Sequence, residues 1–392
     1  MSSTTDILII GGGVMGTSIA YHLAKQGGNR VTVLERQAIC TGTTGHSGAI
    51  VRQHYSNDFT IRMAKESLHI FQHFNELIGG ESGFVTTGML VTTNEAGEAS
   101  LRANVALQQE QGINTRLISP AEMSKVAPGF VAADATLACY EPDTGVADPM
   151  TTTHSFARRA KELGATIYEE AAVTRILTEG ETVVGVATTQ GNFSAPIVIL
   201  AANVWSVQLA HEIDIDLPII ATRHPMVSLR RPDDTGKQPG MHAVCLDTIH
   251  NIYLRPDGGG ITLVGSTENV LTASNPDHYA QGLSEEEIAH FRTQSRQCFP
   301  ALARAKARGG WAGIYDDTPD YHPILGRLAA YEGLYCAAGF SGHGFKLSPI
   351  IGQWMAQYIL TGAKPADMEH FAFERFAQGM EINPRYSSGV LG

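Results

Sequence analysis

Ile7-Leu8-Ile9-Ile10-Gly11-Gly12-Gly13-Val14-Met15-Gly16 is the stretch that decides the fold of this chain. Its four apolar residues, set between Asp6 and a glycine cluster, read as a strand buried on both faces. Residues 17–26 then turn helical, with Ile19, Ala20 and Leu23 on one face, and Gly27-Gly28 stops the helix. Residues 30–35 form a second strand that ends in the acid Glu35, followed by Arg36. Gly11 permits a tight turn, Gly13 admits a pyrophosphate to the backbone, and Gly16 lets helix and strand pack closely. The helix N-terminus, with Val14 and Met15, offers free N–H groups and a partial positive charge to phosphates. Glu35 stands where a carboxylate can accept hydrogen bonds from ribose hydroxyls. A glycine motif alone is weak evidence. Strand, helix and acid around it together specify a dinucleotide site.

Bulk properties bound the rest. The 392 residues suffice for two domains, and 41 glycines suit a compact enzyme with many tight turns. The net charge of −11 argues against nucleic-acid binding. Five widely spaced cysteines without a CxxC argue against a disulfide framework or a zinc site, and the histidines show no metal-ligand spacing. No signal peptide and no apolar run long enough to span a bilayer is seen, so a cytoplasmic location is expected.

Two further glycine-rich strips point to FAD rather than NAD. After the second strand comes Cys40-Thr41-Gly42-Thr43-Thr44-Gly45-His46-Ser47-Gly48-Ala49, where an NAD enzyme would normally continue into a helix. Its small residues, Thr43, Thr44, His46 and Ser47 among them, can face the flavin end of the cofactor. Near the C-terminus a buried strand, residues 334–338, leads into Gly339-Phe340-Ser341-Gly342-His343-Gly344-Phe345-Lys346. A helix over residues 347–360 follows, with Pro349 near its first turn. Its N-terminus would stabilise negative charge on a reduced flavin. A third strip, Ile197-Val198-Ile199-Leu200 leading to Ala201-Ala202, with Trp205 beyond, resembles the segment that returns near the pyrophosphate. Val173 and Gly313 are counted with these cofactor contacts.

Together these strips resemble the D-amino-acid-oxidase-like flavoproteins, nearest the branch of the sarcosine oxidases, their heterotetrameric β subunits, and glycine oxidase. The likeness spans essentially the whole chain and is tightest over residues 338–346. Asp148-Pro149 resembles the start of the family's second FAD-domain helix, as cap and first residue. The resemblance implies an α/β fold: a Rossmann-like FAD-binding domain of the GR2 type, residues 1–80, 145–222 and 320–392. It is interleaved with a mostly antiparallel α+β substrate domain, residues 81–144 and 223–319. Residues 85–93, 224–229, 250–254 and 261–266 read as strands of that second domain.

The implied reaction oxidises a C–N bond in a small amino acid, with hydride transfer to the flavin and hydrolysis of the resulting imine. Sarcosine-like N-methyl or cyclic secondary amines lead, and D-amino-acid or glycine-type primary amines are the alternative. Arg52 and Lys346 align with residues that hold the substrate carboxylate, and an arginine fork grips a carboxylate bidentately. Tyr253 is expected above the flavin and His343 at its edge, with His54 and Tyr55 nearby. Two departures matter. Gly313 stands where the monomeric enzyme has its flavin-linking cysteine, so FAD is expected to be noncovalent. Residues 261–265 carry no lysine where that enzyme activates oxygen, so the acceptor is either O2 or a quinone or protein partner, with partner subunits in a heteromeric complex as one alternative.

Overall fold

The strand Ile7–Ile10 lies inside a six-stranded sheet, and all four of its side chains are buried. The order is Thr166–Tyr168, Val31–Leu34, Ile7–Ile10, Ile197–Leu200, Leu334–Ala338 and Ile324–Arg327. The first five run parallel, and Ile324–Arg327 is antiparallel to its neighbour. The continuous apolar runs have a simple cause: each face meets its own core. Ile7 and Ile9 join one core with the helices, while Leu8 and Ile10 join another with Val183, Val186 and Leu209. In this computed structural model the described residues are 3–383, apart from 29, 234–239, 268–271 and 273–274.

Helices Val14–Lys25, Pro149–Glu162 and Gly344–Thr361 pack together on one side of that sheet. The first begins at Val14, three residues before the expected start, because Gly13 in extended conformation serves as its N-cap. A Cβ on Gly16 would lie 1.9 Å from the Gly11 carbonyl oxygen, so only glycine permits this strand–turn–helix packing. Pro149–Glu162 starts as expected, with Pro149 in the first turn and the Asp148 carboxylate accepting from Thr151 N at 2.6 Å. The C-terminal helix also begins early, at Gly344, which places Pro349 inside it rather than near its first turn. The carbonyl of Phe345, which a proline nitrogen cannot satisfy, accepts instead from Ser348 Oγ at 2.9 Å.

The second large sheet has eight strands, ordered Lys306–Asp317, Ile220–Arg230, Ile261–Ser266, Ile252–Asp257, Val244–Asp247, Met89–Thr93, Leu137–Glu141 and Arg116–Ile118. It is antiparallel except where Val244–Asp247 runs parallel to Met89–Thr93. The strand expected over residues 85–93 is broken into Val85–Thr86 and Met89–Thr93. Gly88 separates them at φ +72, with the Tyr140 ring where a Cβ would stand. The boundary expected at residues 222/223 falls inside the strand Ile220–Arg230, whose partner Lys306–Asp317 pairs along almost its whole length.

Candidate active site

A groove of about 410 Å³ runs past the ends of the parallel strands. Gly11, at φ +114, comes so close to the Ala201–Ala202 turn that a Cβ would lie 2.4 Å from the Ala201 carbonyl oxygen. The two turns therefore form one continuous wall. Gly13, Val14 and Met15 line the groove at a helix N-terminus that carries no side-chain cap, with Val14 N donating to Thr44 Oγ1 at 3.2 Å. Gly11, Thr43, Thr44, Ser47, Val173, Ala201, Ala202, Trp205, Gly342, Gly344 and Phe345 line it too. So do Glu35 and Arg36. The Glu35 carboxylate is held by Gly12 N at 2.7 Å and Gln37 N at 2.9 Å. The Arg36 guanidinium lies 4.0 Å over the Trp205 ring and pairs with Asp277 at 2.7 Å, and Trp205 Nε1 donates to the same carboxylate at 2.9 Å. Asp277, more than two hundred residues from Arg36, thus ties the second sheet's connection across one end of the groove.

Of the expected cofactor contacts, His343 and Lys346 line the smaller cavity beside the groove, and four line neither. Gly16 serves the helix–strand contact described above. His46 is half-buried, its Nδ1 3.0 Å from the Gly42 carbonyl, and its own carbonyl accepts from Trp311 Nε1 at 3.0 Å. Gly313 sits against His46, whose Cβ is 3.1 Å from where a Cβ of residue 313 would be. Gly339, at φ +77, donates its N–H to the buried Asp316 carboxylate at 2.7 Å and so fixes the turn that follows. Asn203, in the strip that follows Ile197–Leu200, lines the groove as well, and so do Tyr315, Asp316 and Gln37, which carry no sequence signal for it. Burial pushes Asp316 up to about 7, against the backbone N–H groups of Phe340 and Gly339. A tyrosine–acid pair inside a long strand gives no local signal of its own.

A smaller cavity of about 80 Å³ adjoins the groove and shares Ser47, Tyr315, Gly342 and Phe345 with it. Here the fold brings together Arg52, Tyr253, His343 and Lys346. Arg52 and Lys346 are both buried, at 5% and 6% exposure. The fully buried Tyr55 ring is a shelf for both: the Arg52 guanidinium is 4.3 Å and Lys346 Nζ 6.0 Å from its centre. His343 meets that ring edge-on at 5.4 Å. Arg52 also donates to the His54 carbonyl, and Lys346 Nζ to the Gly342 carbonyl at 3.4 Å. No Asp or Glu is among the described residues lining the cavity. Burial, and then the charge of Arg52, hold Lys346 well below the usual lysine range. His54 does not line the cavity: its ring is engaged by Glu141 at 3.2 Å and Asn104 at 3.0 Å.

Tyr253 reaches the cavity from the strand Ile252–Asp257, its hydroxyl 3.4 Å from Met226 Sδ, and burial pushes that hydroxyl up to about 12. A Cβ on Gly265, across the ladder, would lie 2.4 Å from the Tyr253 ring. That clash gives a physical reason for the missing side chain at this position. The His224 ring stacks on Tyr315 at 3.8 Å, and burial lowers His224 to about 4. Among the described residues no group of His, Cys, Asp and Glu is arranged to hold a metal ion, and no helix is long and apolar enough to cross a membrane.

Comparison with known proteins places this arrangement. The family described as FAD dependent oxidoreductase matches residues 6–358. Human mitochondrial sarcosine dehydrogenase is 26% identical over 397 residues, covering 98% of this chain and 43% of that protein. The chain thus spans less than half of that relative. Sarcosine oxidase subunit beta of Arthrobacter sp is 28% identical, covering 98% of this chain and 94% of that one. Among solved structures, L-proline dehydrogenase from P.horikoshii superposes with a TM-score of 0.89 at 29% identity, covering 97% and 99% of the two chains.

Proposed function

This chain belongs to the FAD dependent oxidoreductase family, and from that premise we propose that it oxidises the C–N bond of a small secondary amino acid, sarcosine-like or cyclic. One observation carries the reading: a buried cavity at the end of the dinucleotide groove holds the basic side chains of Arg52 and Lys346, with no carboxylate among its described lining residues. Such a cavity selects an anion, and its small size selects a small one. The named relatives act on sarcosine or L-proline, both secondary amines beside a carboxylate.

In this reading the helix N-terminus at Val14 faces the pyrophosphate and Glu35 the ribose. The Ala201–Ala202 turn and the threonines Thr43 and Thr44 line the middle of the cofactor. The turn Gly342–Phe345 and the helix it opens face the flavin end. FAD, when bound, supplies the hydride acceptor. Arg52 and Lys346 hold the substrate carboxylate, and Tyr253 and Tyr315 close the sides of the cavity against water. Attachment is noncovalent, because residue 313 is glycine where the resembled monomeric enzyme has its flavin-linking cysteine. With no lysine in residues 261–265, electrons pass to a partner or quinone rather than rapidly to oxygen. The likeness to a sarcosine oxidase β subunit supports a partner subunit as the receiver.

Anaerobic titration of the yellow holoprotein tests the proposal. Sarcosine or L-proline is expected to bleach the flavin band at lower concentration than D-alanine. A preference for D-alanine moves the assignment to primary amines, and bleaching by none of the three rejects it.

A further inference from the structure

A substrate amino acid arrives as a zwitterion, yet its nitrogen must lose a proton before the neighbouring carbon can give up hydride. We propose that Lys346 takes that proton. The proposal rests on reading this cavity as the amino-acid site, and its argument is one of charge in a confined space.

Arg52 and Lys346 share one cavity of about 80 Å³ and one aromatic shelf, Tyr55, and both are cut off from water. Two like charges there oppose each other and both lose hydration. A guanidinium does not release its proton in a protein, so the cost falls on the lysine. Among the described residues, the remaining titratable neighbours do not relieve it. Tyr253 and Tyr315 are raised by burial and stay neutral. His343 stands edge-on to Tyr55, and Glu141 is engaged by His54, Thr144 Oγ1 and the Gln53 backbone. Burial and the Arg52 charge both favour the unprotonated lysine. Without substrate the cavity therefore favours the neutral amine at Lys346.

Docking of a carboxylate reverses that preference, since the incoming negative charge now favours an ammonium at Lys346. The substrate brings the needed proton. An N–H bond of its ammonium breaks and leaves the electron pair on nitrogen, while a new N–H bond forms at Lys346 Nζ. No electrons leave the pair of amines, and the charge of the cavity with its substrate is unchanged. The lone pair released is the one that assists departure of hydride from the adjacent carbon. One residue thereby binds the carboxylate and deprotonates the amine.

Acetate, a carboxylate without an ammonium, separates binding from proton transfer. In weakly buffered holoprotein at pH 8, acetate binding is expected to draw about one proton per site from solvent, read with an indicator dye, and sarcosine binding to draw none. Lys346→Arg, always charged, keeps the carboxylate contact but takes up no proton with acetate. Its anaerobic flavin reduction by sarcosine at pH 8 is expected to fall up to about a hundredfold, because roughly one in a hundred molecules of an amine with pKa near 10 is free at that pH. The rate recovers as pH approaches ~10. The acetate-induced change in the flavin spectrum verifies that the variant is folded and binds. Equal proton uptake by native protein and variant, or a variant whose reduction keeps the native pH profile, overturns the role of Lys346 while leaving the amino-acid reading intact. Failure of every amino acid to bleach the native protein overturns that reading itself.

Discussion

Replacing Arg52 by methionine separates what this residue does for substrate from what it does for the fold. Its guanidinium is buried, so a carboxylate it grips is shielded from water, and a charge-assisted contact of this kind is worth about 2–4 kcal/mol. At ~1.4 kcal/mol per tenfold, half-saturation for sarcosine should rise about thirty- to a thousandfold. Stability should move little. The variant loses the bond to the His54 carbonyl and a cation–π contact of about 0.5–2 kcal/mol with Tyr55, but relieves the repulsion on Lys346. The unbranched methionine refills the space above the ring. Stopped-flow anaerobic reduction against substrate concentration, with thermal melting of the same samples, measures both. Half-saturation within twofold of the native value would refute the carboxylate role of Arg52. A collapse of the melting temperature would mean that the residue is structural.

Three further changes probe the scaffold. Gly16→Ala puts a Cβ 1.9 Å from the Gly11 carbonyl, so the helix must move off the sheet; we expect a loss of about 1–3 kcal/mol or more in urea unfolding, and weaker FAD retention on gel filtration. Arg375→Met leaves Asp320 buried after removing its contacts at 2.7 and 2.9 Å, and should cost about 3–5 kcal/mol by denaturant titration. Asp316, raised by burial from 3.8 to about 7, favours the folded state most below its unfolded value and loses that contribution as pH rises through its folded one. Between pH 4 and 7 the apoprotein should therefore lose up to about 1.4 kcal/mol per pH unit relative to Asp316→Asn. Parallel unfolding curves across that range would contradict the burial argument.

The amino-acid sequence by itself determined the elements whose signals are local. Ile7–Ile10, Ile197–Leu200 and Leu334–Ala338 were legible because strands buried on both faces are apolar without alternation. The turn at Gly11–Gly16 and the cap at Asp148 depend on neighbours a few residues away, so spacing alone reports them. Tertiary structure alone decided the rest. That Asp277 clamps Arg36 and Trp205, that Tyr55 underlies both Arg52 and Lys346, and that Gly265 clears room for the Tyr253 ring are contacts between distant segments. Such contacts leave no period in the chain, and each residue taken singly has an ordinary surface or core explanation. The helix starts at Val14 and Gly344 were misplaced for a related reason: glycine lacks helical propensity, and its place in a first turn is set by what approaches it. Above all, Arg52 and Lys346 came to share one cavity only when folding enclosed them together, because the company a cavity keeps, with no carboxylate among its described lining residues, is not a property of any segment.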